Sequence, residues 1–94
     1  MNFGELPGVA AQLRRAVEHA LAPTHVEIID DSAAHAGHPG ARSGGHYRLT
    51  VVSAAFEGRT QLQRHRLVYA AVAPLMDGAV HALNIIARTP GEQA

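Results

Sequence analysis

Residues 56–83 read FEGRTQLQRHRLVYAAVAPLMDGAVHAL and contain the clearest helical pattern of the chain. One set of residues recurs there at steps of three and four, which is the spacing of one helix face. The set consists of Leu62, His65, Val68, Val72 and Met76, widened by Leu67, Ala71 and Leu75. This spacing predicts a helix from about Thr60 to Met76 that buries this face. Four polar residues fall outside the buried face and are predicted to be exposed to water: Gln63, Arg64, Arg66 and Asp77.

Glycine and proline residues set the limits of this helix. Gly58 interrupts the approach from the preceding segment, and a short separate helical turn is expected over residues 58–62. Gly78 stands where a left-handed residue can end a helix at little cost. Pro74 lacks a backbone N–H, and a proline inside a helix costs about 3 kcal/mol. We therefore expect a kink or an early helix end at Pro74.

The first third of the chain predicts a helix followed by a strand. Leu6-Pro7 has the form of a helix entry, and Pro23 ends the helix. The apolar face between them is formed by Val9, Leu13, Ala16, Val17, Ala20 and Leu21. Val26 to Ile29 is rich in β-branched residues, which favours a short strand.

Two further strands complete the predicted order αββααβ. Residues 30–45, DDSAAHAGHPGARSGG, hold too few large side chains to build a core, so they predict a long, flexible loop. His46 to Ser53 alternates between apolar and polar side chains, as in a strand with one buried face. After the central helix, His81 opens a new apolar run, and Leu83 to Ala87 is predicted to be the last strand.

Composition limits the classes of function. The chain has 94 residues, no cysteine and a formal net charge of zero, with seven histidines scattered along it. A metal would therefore be bound through nitrogen or oxygen, or shared with the sulfur of a partner. No apolar run is long enough to span a membrane, and the N-terminus lacks the features of a signal peptide, so we expect a cytoplasmic protein. No arrangement of nucleophile and base indicates an enzyme.

Five motifs in order resemble the signature of the BolA-like family. They are Asp31-Ser32-x-x-His35-x-Gly37-His38-x-Gly40, His46-Tyr47-x-Leu49-x-Val51-Val52-Ser53, Phe56-x-Gly58, Arg64-His65-Arg66-x-Val68-Tyr69 and Val80-His81-Ala82-Leu83. The resemblance implies an α+β fold of the type II KH-like kind. It has a three-stranded mixed sheet with the helices on one face. We expect one domain over residues 1–94, with a core of roughly 6–90.

The same resemblance implies a metal site. In the family, the histidine that matches His81 is a ligand of a [2Fe–2S] cluster held jointly with a CGFS-type monothiol glutaredoxin and its bound glutathione. The second ligand comes from the loop between the first two strands, where His35 matches and His38 is a rival. If neither loop histidine serves, His65 or His46 is next to be considered. A competing interpretation makes His81 a core histidine at a strand edge.

Three arginines are candidate contact residues: Arg59, Arg64 and Arg66. Their guanidinium groups suit carboxylates of glutaredoxin or glutathione, although a solvated helix face explains them equally well. Some family members are described as transcription regulators, so DNA phosphates are an alternative partner. The neutral net charge weakens that alternative, which relies on surplus positive charge. Whether the apo chain forms a homodimer is left open.

Overall fold

The computed structural model describes residues 8–31 and 45–92. It contains helix α1 (Val9–Leu21), strands β1 (His25–Asp30) and β2 (Gly45–Val52), helix α2 (Gln61–Val72) and strand β3 (Val80–Arg88). Short 3₁₀ turns lie between and after them, at Ala54–Phe56, Ala73–Leu75 and Pro90–Glu92. The predicted αββααβ order is confirmed. The second helical element of that order is the short 3₁₀ turn at Ala54–Phe56. The separate turn had been predicted over residues 58–62, and that placement is wrong, since Gln61 and Leu62 already belong to α2.

The three strands form one mixed sheet in the order β1-β2-β3. β1 and β2 are antiparallel, and β2 and β3 are parallel, because α2 carries the chain back between them. Along β2, Tyr47, Leu49 and Val51 are buried whereas Arg48 is exposed. The helices therefore cover one face of the sheet, and the predicted fold class is confirmed.

One apolar core joins all the main elements. Its fully buried members include Leu13 and Val17 from α1, Phe56 from the first 3₁₀ turn, and Val68 and Val72 from α2. None of the helices within residues 8–31 and 45–92 has the length and apolar character that a membrane crossing requires.

The ends of α2 follow from local chemistry. The Thr60 hydroxyl accepts a hydrogen bond from the Gln63 backbone N–H at 3.1 Å, and the Gln63 side chain accepts one from the Thr60 backbone N–H at 2.9 Å. This reciprocal arrangement satisfies two N–H groups at the helix start. At the other end the α-helix stops at Val72, and Pro74 lies in the 3₁₀ turn. The early end predicted from Pro74 is confirmed.

The buried face of α2 differs from the predicted one. Arg64, Val68 and Val72 are its buried residues, four positions apart, whereas Leu62 is 60% exposed. The prediction that Leu62 is buried is wrong, as is the prediction that Arg64 meets water. The apolar spacing is real, but the first turn of α2 places an arginine against the core and a leucine outside it.

Two further boundaries bear on the site. β3 begins at Val80, three residues before the predicted start, so His81 belongs to the strand. β1 and β2, which flank the predicted loop, pair antiparallel. His35 and His38, the loop candidates for metal ligands, lie outside the described residues.

Candidate functional site

His81 lies on an irregularity at the start of β3. Gly45 of β2 is paired with Val80, but the next residue, His46, is paired with Ala82, so β3 has one extra residue at His81. Such a β-bulge redirects a side chain relative to a regular strand. Val80 is buried, whereas His81 is exposed. The interpretation of His81 as a core histidine is therefore wrong.

His81 lies next to His46 at this irregularity. The centroids of the two imidazole rings are 5.2 Å apart, and the ring planes are inclined by 46°. His46 is half-buried at the start of β2, while His81 is exposed. Because β2 and β3 are parallel, both strands start at the same end of the sheet. The second residue of each strand is a histidine.

Backbone hydrogen bonds hold this edge of the sheet together. The Gly45 N–H donates to the Ala79 carbonyl oxygen at 3.2 Å, which ties the start of β2 to the residue before β3. The Asp31 N–H donates to the His46 carbonyl oxygen at 2.7 Å, which ties the end of β1 to β2. All three strands are thus fixed where the two histidines lie.

A shallow depression of about 270 Å³ adjoins His46 and contains an ion pair. Arg48 Nε is 2.6 Å from Asp31 Oδ2, and Arg48 Nη2 donates to Asp31 Oδ1 at 3.3 Å. The hydrogen bond to Asp31, followed by the charge of that carboxylate, raises the pKa of Arg48. The lining residues are Asp31, His46, Tyr47, Arg48, Ala82, Leu83 and Asn84.

An exposed stripe on α2 lies beside β3. It consists of Leu62, Arg66 and Tyr69, which are spaced to share one side of a helix, and we call it the α2 stripe. The Tyr69 hydroxyl donates to the Leu83 carbonyl oxygen at 3.2 Å, two residues beyond His81. Leu62 and Tyr69 are 60% and 42% exposed, which is high for large apolar side chains. This stripe was not predicted, because Leu62 had been assigned to the buried face.

Arg64 is a correction to the predicted contact residues. It is only 6% exposed, and its guanidinium donates to the carbonyl oxygens of Arg59 at 3.0 Å and Ala87 at 3.3 Å. Its Nη1 and Nη2 also contact the carboxylate of Glu92 at 2.6 and 3.2 Å. Arg64 thus links α2 to the C-terminal turn. The other two candidates, Arg59 and Arg66, are exposed as predicted.

Glu92 responds strongly to this arrangement. Its pKa is lowered to about 2, first by the hydrogen bond from Arg64 and then by the hydrogen bond from the Thr89 backbone N–H. Sequence reasoning missed Glu92, since the polar tail carries no pattern that connects it with a helix 28 residues earlier.

The remaining histidines complete the survey. His65 is half-buried on α2, as predicted, and His19 is exposed in the last turn of α1. Within residues 8–31 and 45–92, no three histidine or carboxylate side chains come together as a metal site. The described part of the chain therefore offers a pair of imidazoles, and the roles of His35 and His38 stay predictions. From sequence, His46 was considered only as a fallback ligand, and its proximity to His81 was not predicted.

Comparisons with known proteins agree with this fold. The family described as BolA-like protein matches residues 17–92. Human "BolA-like protein 1" is 47% identical over 89 residues, which cover 95% of this chain and 64% of that protein. The chain thus spans somewhat less than two thirds of this relative's length.

Solved structures give the same result. BolA1 from Arabidopsis thaliana superposes with a TM-score of 0.81 at 32% identity, covering 95% of this chain and all of that one. The BolA domain of SufE1 from the same plant has a TM-score of 0.80 at 37% identity, covering 94% of this chain and 99% of that domain. These similarities extend through the sheet and helices that position His46 and His81.

Proposed function

Because the chain belongs to the BolA-like family, we propose that it is an adaptor or regulator in iron–sulfur cluster trafficking or iron sensing. In this proposal it holds a [2Fe–2S] cluster jointly with a CGFS-type monothiol glutaredoxin. The partner and its bound glutathione contribute two thiolates, and this chain contributes nitrogens. The chain has no cysteine, and imidazole is a known substitute for thiolate on one iron of such clusters. Its role is binding rather than catalysis, and we place it in the cytoplasm.

The exposure of His81 on the bulge of β3 is the observation that carries this proposal. A ligand to a group shared between two proteins must be accessible from outside its own chain. His81 meets this requirement, whereas Val80 beside it is buried. The strand backbone fixes the Cα position of His81, so only its side-chain torsions remain to be ordered when a partner binds.

The second nitrogen in this proposal comes from the segment between β1 and β2. His35 occupies the position that the family uses, and His38 is its rival. The described ends of that segment support the assignment, because Asp31 and Gly45 both adjoin the edge where His81 lies. Both described ends of the segment therefore lie at the end of the sheet where His81 is found.

The α2 stripe is the surface that we assign to the glutaredoxin partner. Leu62 and Tyr69 supply apolar contact, and Arg66 supplies a guanidinium for a carboxylate of the partner or of glutathione. The hydrogen bond from Tyr69 to Leu83 places this stripe against the strand that carries His81. Arg59 is exposed just before α2 and is a further candidate contact.

Regulation through DNA binding is the weaker alternative. Of the three arginines proposed to contact phosphates, Arg64 is buried and engaged with Glu92. Arg59 and Arg66 remain, in a chain without net positive charge. Two phosphate contacts support only weak binding with a shallow dependence on salt, because that dependence grows with the number of phosphates contacted.

Coexpression with a monothiol glutaredoxin tests the proposal. We expect a coloured heterodimer on size-exclusion chromatography, with an absorption spectrum that differs from that of the glutaredoxin cluster alone. His81→Ala should remove this difference, whereas His19→Ala, which alters an exposed histidine of α1, should keep it. A wild-type spectrum in the His81→Ala complex would contradict the assignment. The same chromatography run on the apo chain reveals whether it forms a homodimer.

A further inference from the structure

His46 and His81 have the separation of two ligands on one metal ion. With each nitrogen about 2.1 Å from a tetrahedral ion, two coordinated imidazoles have ring centroids about 5 Å apart. The observed centroids are 5.2 Å apart, and the 46° inclination of the rings differs from parallel stacking. We propose that His46 and His81 form a two-nitrogen site for one divalent transition-metal ion, which the isolated chain binds without a partner.

The backbone around the pair makes the site preformed. His46 and His81 are each the second residue of a strand, and the strands are hydrogen-bonded neighbours. The bonds Gly45 N–H to Ala79 and Asp31 N–H to His46 fix both strand starts. A metal ion therefore has only side-chain torsions to order, which limits the entropic cost of binding.

The ligand type selects the class of metal. Imidazole suits Zn²⁺, Ni²⁺ and Cu²⁺, whereas Mg²⁺ and Ca²⁺ require oxygen ligands. The Asp31 carboxylate, which lines the depression beside His46, is held by Arg48 and is not counted as a ligand. Within residues 8–31 and 45–92 no third ligand joins the pair, so the proposed site takes its remaining ligands from water. Cu²⁺ should bind more tightly than Ni²⁺ or Zn²⁺.

This site differs from the cluster site in its second ligand and in its independence of glutaredoxin. His81 belongs to both sites, so a bound divalent ion and a shared cluster exclude each other. That one consequence rests on the proposed function, whereas binding by the isolated chain does not. Failure of cluster assembly would therefore leave the metal site standing, and the reverse also holds.

Calorimetric titration of the isolated chain with Ni²⁺ and with Cu²⁺ tests the proposal. We expect one ion per chain. His46→Ala and His81→Ala should each weaken binding at least about tenfold, since even residues that only orient a metal ligand are typically worth 10- to 100-fold. His19→Ala should bind as the wild type does. The double variant His35→Ala/His38→Ala should also keep the site, because these residues are not its ligands.

A second measurement on the unmodified chain removes any dependence on how the variants fold. Substoichiometric Cu²⁺ broadens the NMR signals of nearby imidazoles, and we expect the strongest broadening at His46 and His81 together. Broadening confined to His35 and His38, or wild-type affinity in His46→Ala, would overturn the proposal. Absence of any binding to the wild-type chain would overturn it as well.

Discussion

The two ends of β3 both carry polar groups next to the core, but they use them differently. At the carboxyl end, the guanidinium of Arg64 is buried and donates hydrogen bonds to Arg59, Ala87 and Glu92. At the amino end, His81 is exposed, and its imidazole makes no hydrogen bond to another residue of ranges 8–31 and 45–92. The first arrangement stabilises the fold. The second leaves an imidazole accessible to a partner or a metal ion, as the proposed binding role requires.

Two ion pairs make this comparison quantitative. Arg64–Glu92 and Arg48–Asp31 both have a shortest nitrogen–oxygen distance of 2.6 Å, and both are two-pronged. They differ in exposure, since the side chain of Arg64 is 7% exposed and that of Arg48 is 53% exposed. The two ion pairs have similar geometry, but because their arginines differ in exposure, we expect them to contribute very differently to the stability of the fold.

Removal of Arg64 should have the largest effect. Arg64→Ala removes the donor to the carbonyl oxygens of Arg59 and Ala87, and it leaves the Glu92 carboxylate with only the hydrogen bond from the Thr89 backbone N–H. We expect the melting temperature to fall by about 10 °C or more for a chain of this size. Thermal unfolding followed by circular dichroism measures this. Arg66→Ala, on the exposed side of the same helix, is the control, and equal losses in both variants would refute the distinction.

The adjacent residues Val80 and His81 provide the next test. Val80 is 1% exposed, so Val80→Ala should lower the free energy of unfolding by about 1–2 kcal/mol through lost burial and a small cavity. His81→Ala, one residue later, should change it by less than about 0.5 kcal/mol, as exposed substitutions usually do. Urea unfolding measures both. A loss in His81→Ala as large as that in Val80→Ala would mean that the bulge histidine is structural after all.

Acid should lower the stability of the fold, because protonation of Glu92 weakens its interaction with Arg64 at the carboxyl end of β3. Its pKa is lowered from 4.5 to about 2 in the folded chain, so the carboxylate stabilises the fold fully above pH 4.5. This contribution is lost as pH falls from about 5 toward 2. Glu92→Gln lacks it at every pH. The difference in urea midpoint between wild type and Glu92→Gln should therefore shrink between pH 6 and pH 3, and a difference that stays constant would contradict the role given to Glu92.

The sequence predicted the sheet and the helices but only part of what lies at the two ends of β3. Strand alternation around Leu49 and the helical spacing of Val68 and Val72 depend on neighbours within a few residues, so they can be read locally. The partner of Arg64 cannot, because Glu92 lies 28 residues further on, in a tail without periodicity.

The His46–His81 pair depends on information of a different kind. The motifs indicated His81 as a ligand, but its proximity to His46 depends on the parallel register of β2 and β3, including the irregularity between Gly45 and His46. A shift of one residue in a strand sends a side chain to the opposite face. Periodicity alone does not specify a bulge, so the pair became visible only in the folded chain.

The smallest expected effect belongs to the ion pair beside the histidines. Arg48 and Asp31 are solvated, and exposed pairs of this kind contribute little because water and salt compete with them. Arg48→Ala should therefore shift the melting temperature by less than about 2 °C, against about 10 °C for Arg64→Ala. The measurement is thermal unfolding at low and high salt, with Arg14→Ala on the exposed side of α1 as the control. A loss in Arg48→Ala that approaches the loss in Arg64→Ala would show that the amino end of β3 is braced as firmly as the carboxyl end. If Arg48→Ala instead leaves stability unchanged but alters metal or glutaredoxin binding, the pair belongs to the site rather than to the fold.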